Sequence, residues 1–191
     1  MIGVADYSVI ADVGLSLVNA LKKALVPELI SHVDGVGLAN PIDKGDMNLT
    51  VYLYDIKENS DARNNEMVDL GNRLKYPGMA LDLYYLITAH SSSDVLTRGI
   101  DEQRILGKTM QLLHDNPVLK EEDLEGCLMS SGTTIRISKE AFPFETLITL
   151  FPNQPYKLSL AYRVGPVVLD STRTREVSRV TERQLRMNQK Q

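Results

Sequence analysis

Hydrophobic and polar positions along the chain change period several times, and each change predicts an element. Ile10, Leu17 and Ala24 recur every seven residues with Val13, Leu21 and Leu25 beside them, forming one apolar stripe along a helix. Asp6 or Ser8 supplies its cap, and Pro27 stops it near Val26. The stripe is too short for a coiled-coil seam, so packing on a sheet is expected. Residues 49–56 then alternate and are rich in β-branched and aromatic side chains, the signature of a strand. Residues 79–89 predict a second, stronger strand, with Leu81, Leu83, Tyr85 and Ile87 on one face and Asp82, Tyr84, Leu86 and Thr88 on the other.

A helix is expected from a cap at Asp101 to about Asn116, burying Leu106, Met110 and Leu113 and ending at Pro117. Gly107 in its middle costs about 1 kcal/mol relative to alanine, tolerable if the helix approaches a neighbour closely. Residues 133–138 read as a short strand, 144–151 as a short helix, and Tyr156 onward as a long final strand in which Leu158, Leu160, Tyr162 and Val164 share a face. Residues 57–77 show no clear period, and loops this long are usually functional or disordered. Helices and strands in this order do not repeat as βαβ units. The fold class is therefore α+β, a mainly antiparallel sheet covered by helices, with one domain over residues 1–170.

The chain ends differently. Residues 171–191 hold few hydrophobic anchors, namely Val177, Val180 and Leu185 with Met187 following. They carry Arg173, Arg175, Arg179, Arg183, Arg186 and Lys190 against Glu176 and Glu182, a net +4 in a chain of net −4. An acidic body with a basic arm that cannot bury itself predicts contact with a separate polypeptide. Alternation of Arg173, Arg175, Val177 and Arg179 with Thr174, Glu176, Ser178 and Val180 suits strand addition, in which main-chain hydrogen bonds give affinity and ion pairs give register. A helix over residues 175–186 is the other possibility, with Glu182 and Arg186 as an i,i+4 pair.

Composition narrows the function classes. The acidic balance argues against a nucleic-acid-binding body, since phosphate attraction needs a positive field; a nucleic-acid adaptor would have to rely on the arm alone. A single cysteine, Cys127, excludes an internal disulfide framework and fits a reducing compartment. The first residues lack a basic n-region and place Asp6 early, and no apolar run reaches membrane-spanning length, so a cytoplasmic protein without membrane insertion is expected.

Candidate chemistry is sparse. His32, His90 and His114 have no second metal ligand at a recognised spacing. Cys127, between Gly126 and Leu128, reads as a buried structural thiol. The serine clusters at 91–93 and 130–131 lack a nucleophile elbow, Gly35 and Gly37 do not make a phosphate loop, and Asp43 and Asp46 offer too few oxygens for calcium. Asp82 interrupts a hydrophobic strand: either it anchors an arginine across an interface or its face of the sheet meets solvent, the second being the simpler reading. No catalytic residue, metal, cofactor or small-molecule substrate is expected.

Several motifs carry a family resemblance. They are Ala-Asp-Tyr-Ser-Val-Ile-Ala-Asp-Val-Gly at 5–14, residues 49–59 with their Leu-Tyr-x-x-x-Glu-Asn ending, and Ala-Leu-Asp-Leu-Tyr-Tyr-Leu-Ile-Thr-Ala at 80–89. Residues 104–119, Pro-Tyr-Lys-Leu-Ser-Leu-Ala-Tyr at 155–162, and Asp-Ser-Thr-Arg-Thr-Arg-Glu-Val at 170–177 complete the set. Together the chain resembles the amino-terminal domain of the cap, or tail-terminator, proteins of phage-tail-like contractile injection systems. The resemblance implies a non-enzymatic structural protein with a tail-terminator-like sandwich fold. It also implies a homo-hexameric ring that closes the distal end of an inner tube and its sheath and stops their polymerisation. Its partners would be copies of itself and the sheath and tube proteins. On that reading the arm, through Arg173, Arg175, Glu176, Val177, Arg179 and Arg183, meets an adjacent subunit or the topmost sheath layer. The loop with Arg63, Asn64 and Asn65 faces the tube or its lumen.

Overall fold

A computed structural model of the chain describes residues 7–130 and 132–176, and its core forms where a helix stripe meets one face of a sheet. Helix α1 (Val9–Leu25) turns Val9, Val13, Leu17, Leu21 and Leu25 inward, all essentially inaccessible to solvent. It stops because Val26, preceding Pro27, is extended, as the residue before a proline prefers. Beneath it lie β1 (Val36–Leu38), β2 (Leu49–Glu58), β5 (Met79–Ala89), β6 (Arg136–Lys139) and β7 (Ser159–Leu169) in the order β1-β2-β5-β7-β6. Only the β1–β2 pair is parallel; the mainly antiparallel α+β sandwich read from the sequence is the fold observed. The three-residue strand β1 was not anticipated, because Val-Gly-Leu is too short to show a period.

Helix α2 (Val95–Asp115) covers the same face, burying Ile105, Leu106, Thr109 and Leu113. Two expectations are corrected here. The helix is capped not by Asp101 but by Asp94, whose carboxylate accepts from the Val95 N–H at 2.8 Å. Asp101 instead accepts from the Ser93 hydroxyl at 2.7 Å. Met110 lies outside the buried stripe and is 36% exposed, because Thr109, not Met110, faces the core.

The opposite face of the sheet is buried as well. Leu86 and Ala161 pair across β5 and β7 there, and both are inaccessible. The segment leading from β6 through α3 (Phe144–Thr149) to β7 covers it: the Glu140 N–H bonds the Ala161 carbonyl at 2.8 Å, and Phe142 stands edge-on to Tyr54 with ring centres 5.0 Å apart. Asp82 therefore does not meet solvent. It is 7% exposed, accepts both Nδ2–H bonds of Asn59 at 3.0 and 3.1 Å, and has the Arg163 guanidinium at 3.8 Å. A buried carboxylate must find partners, and these come from the neighbouring strands of its own sheet rather than across an interface.

The expected loop at 57–77 is also partly regular. β2 runs on to Glu58, and β3 (Val68–Asp69) and β4 (Arg73–Lys75) form a hairpin turning at Gly71, whose φ of +94° suits glycine. The third member of this small sheet, β8 (Thr174–Glu176), comes from the start of the basic arm.

Candidate assembly surface

The small sheet has the order β3-β4-β8 and stands clear of the main core, with the residues of β3 and β8 exposed. Arg73 pairs with Glu176, Leu74 with Arg175 and Lys75 with Thr174 in antiparallel register. The Tyr76 N–H donates to the Arg173 carbonyl at 3.0 Å, and the Arg173 guanidinium lies 4.5 Å from the centre of the Tyr76 ring. Arg73 and Glu176 approach to 3.7 Å on the exposed rim, where an ion pair contributes little. The root is firmer. Lys75 Nζ meets the Asp170 carboxylate at 2.9 Å with both side chains largely covered. Gly78 lets the hairpin leave the body there, since a Cβ would stand 2.6 Å from Val168.

The start of the arm is thus clipped to its own loop, and the two groups of residues singled out from the sequence share one appendage. Arg63, Asn64 and Asn65 precede β3 and are exposed, with the Glu66 N–H held by the Asn64 side chain at 2.9 Å. Arg173, Arg175 and Glu176 lie in or beside β8, while Val177, Arg179 and Arg183 fall outside the described residues. Among the described residues the outer edge of β8 has no paired strand, leaving its N–H and C=O groups to solvent. The sequence pattern missed Tyr76, Lys75 and Asp170, which hold the clip; the aromatic next to Pro77 was the one visible signal.

A second polar cluster sits at the other end of the sheet. His90 is buried; its Nε2 is 3.1 Å from the Thr50 hydroxyl and its Nδ1 3.4 Å from Lys157, which is paired with Glu102 at 3.0 Å. Burial first, then Lys157 and Lys44, push its pKa down to about 4, so the ring is neutral at physiological pH. With Lys157 paired to Glu102 and Thr50 to the ring, this arrangement ties the end of β5 to β2, α2 and the start of β7. No helix among the described residues is long and apolar enough to cross a membrane.

The family model of the Pvc16 N-terminal domain matches residues 12–183. Among solved structures, the chain is similar to the PVC sheath/tube terminator of an extracellular contractile injection system in its extended state. That likeness has 19% identity and a TM-score of 0.65 over 95% of this chain and 64% of that one. It is also similar to the anti-feeding prophage cap, a tube terminating cap, with 21% identity and a TM-score of 0.52 over 78% of this chain and 53% of that one. The chain thus spans less than two thirds of either, and at these identities the likeness establishes a shared fold. No curated protein matches.

Proposed function

This chain belongs to the Pvc16 N-terminal domain family, and we propose that it is a structural cap of a phage-tail-like contractile injection system. It forms a six-fold ring on the distal end of the inner tube and sheath and stops their polymerisation, assembling in the cytoplasm. Its work is done by surfaces and not by catalysis. The observation that carries this reading is the exposed strand β8, whose outer edge is unpaired among the described residues and whose chain continues directly into the basic arm. An open edge is a template for another chain's strand. A growing sheath that meets this edge adds to it, and the arm from Ser171 to Gln191 occupies the site where the next sheath subunit would bind. Arg173, Arg175, Glu176, Val177, Arg179 and Arg183 form that contact, arginine's fork matching carboxylates of the partner. Arg63, Asn64 and Asn65 on the same appendage face the tube. Residues 1–170 act as the body and 171–191 as the arm.

The test is a pair of truncations expressed with the tube and sheath proteins. Removing residues after Glu176 keeps β8 and deletes the rest of the arm; removing residues after Asp170 deletes both. Both proteins are expected to stay folded, and both are expected to give sheaths of uncontrolled length. Particles of normal length from the shorter chain would overturn the role of the arm. Cysteines placed at Asn64 or Asn65 should cross-link to tube protein, and their failure to do so would remove the tube-facing assignment.

A further inference from the structure

Beside His90, one recess gathers cations from three separate segments of the chain. Its volume is about 460 Å³. Lys44 enters it from the loop between β1 and β2, Arg98 from the first turns of α2, and Lys157 from just before β7. Among the described residues Glu102 is the one carboxylate lining it, and it is already engaged. It meets Lys157 Nζ at 3.0 Å and accepts from the Ser91 N–H at 3.1 Å. Lys44 and Arg98 have no carboxylate partner among the described residues. Lys44 Nζ donates to the Gly45 carbonyl at 2.9 Å, and Arg98 Nε to the Ser93 carbonyl at 3.4 Å, which leaves the outer fork of the guanidinium open. His90 is neutral, its pKa lowered first by burial and then by Lys157 and Lys44, so the lining holds three positive charges against one negative.

Much of the remaining lining is apolar and firm. Pro41 and Phe151 are buried, and Tyr156 stands edge-on to Phe151 with ring centres 5.7 Å apart. Leu158, by contrast, is 57% exposed there.

We infer that this recess takes an acidic segment of a partner protein, in which a carboxylate side chain adjoins an apolar one. The carboxylate answers the Arg98 fork, which accepts that group in a bidentate pair, and the Lys44 ammonium beside it. The apolar neighbour covers Leu158 and the wall behind it, removing that surface from water. A small inorganic anion would satisfy the cations and leave the apolar wall wet. A nucleic-acid strand needs a positive track leading away from the recess, whereas Asp43 and Asp94 adjoin its lining residues in sequence and the chain carries net −4. The site is on the body and not on the arm, so it goes beyond the cap reading and stands or falls without it.

The test is fluorescence anisotropy on the whole chain with a dye-labelled octapeptide of alternating glutamate and leucine, beside its counterpart with glutamine for glutamate. The acidic peptide is expected to bind about tenfold more tightly or better. Lys44→Gln combined with Arg98→Gln, at partly and fully exposed positions and checked for folding by circular dichroism, should weaken that binding by about tenfold. Arg136→Gln, exposed on the edge strand β6, should leave it unchanged. Equal binding of the two peptides, full binding by the double variant, or no binding at about 1 mM peptide overturns the inference. So does displacement of the peptide by inorganic phosphate at about 1 mM, the behaviour of a plain anion site. Tighter binding of a labelled single-stranded oligonucleotide, lost in the same double variant, overturns it in favour of nucleic acid.

Discussion

Asp12, in the first turn of α1, accepts a hydrogen bond from the Cys127 backbone N–H at 3.0 Å and so ties the first helix to a 3₁₀ turn at Gly126–Ser130. The same carboxylate accepts from the Ser8 hydroxyl at 2.9 Å. Gly126, at φ +56°, is what permits the approach, since a Cβ there would come within 2.4 Å of the carboxylate carbon. Gly126→Ala is expected to cost about 2–4 kcal/mol, a left-handed penalty of about 1–2 kcal/mol plus the displacement of Asp12. Asp12→Ala should cost about 1–3 kcal/mol by leaving the Cys127 N–H unsatisfied. Urea midpoints measure both, and wild-type midpoints would remove Asp12 as the tie.

Asp82 marks a second constraint. The β5–β7 register shifts between Leu81 and Leu83, and at that bulge Gly165 passes so close that a Cβ would meet the Asp82 carboxylate at 2.5 Å and the Leu81 carbonyl at 2.9 Å. Gly165→Ala is therefore expected to destabilise by about 2–3 kcal/mol, because a backbone carbonyl cannot swing aside. Arg163→Ala should cost only about 1 kcal/mol, since that guanidinium is half exposed and Asn59 still serves the carboxylate. If Arg163→Ala were the more damaging of the two in thermal melts, the ion pair and not the packing would be holding this bulge.

The alternation of β5 and β7 was legible because period two shows wherever one face is strongly apolar, and Leu83, Tyr85 and Ile87 declare it. The same pattern misplaced Asp82. Alternation identifies faces but cannot say that both are covered, and here the cover is the segment between β6 and β7, whose Phe142 meets Tyr54 through a tertiary contact. The start of α2 was misread for the converse reason. Val95, Leu96 and Ile100 are exposed, so the amphipathic stripe begins only at Ile105, and Asp101 looked like a cap two turns late. On the candidate surface, the basic arm was visible as charge. Its clip to Tyr76 and Lys75 depends on a tertiary register between residues about a hundred positions apart, which no local pattern carries.

His90 predicts how stability changes with pH. Its folded pKa, about 4, lies below its unfolded value of about 6.5, so the unfolded chain binds the proton first. Stability is full above pH 6.5 and falls as the pH drops towards 4, by on the order of 3 kcal/mol in total. Asp12 acts lower down: burial raises its pKa, but the Cys127 and Ser8 hydrogen bonds together outweigh that and hold it below the ordinary carboxylate value, so its contribution is lost only in stronger acid. Urea titrations of wild type and His90→Asn between pH 7.5 and 4 separate the two. The variant is expected to have a flatter profile, and an unchanged slope between pH 6.5 and 4 would exclude His90 as its source.

Gly107 in α2 gives the opposite kind of prediction. The sequence reading reserved this glycine for a close approach, yet a Cβ there meets nothing within 4 Å, and the same holds at Gly99. Within the isolated chain both positions carry only the entropic cost of glycine in a helix, about 1 kcal/mol each relative to alanine. Gly107→Ala and Gly99→Ala are thus expected to raise the unfolding free energy of the monomer by about 0.5–1 kcal/mol apiece, additively, as they lie two turns apart. Urea midpoints of the two single variants and of the double variant measure this. A loss of stability at Gly107→Ala would mean that the helix does meet a neighbour closely there, as the sequence alone suggests.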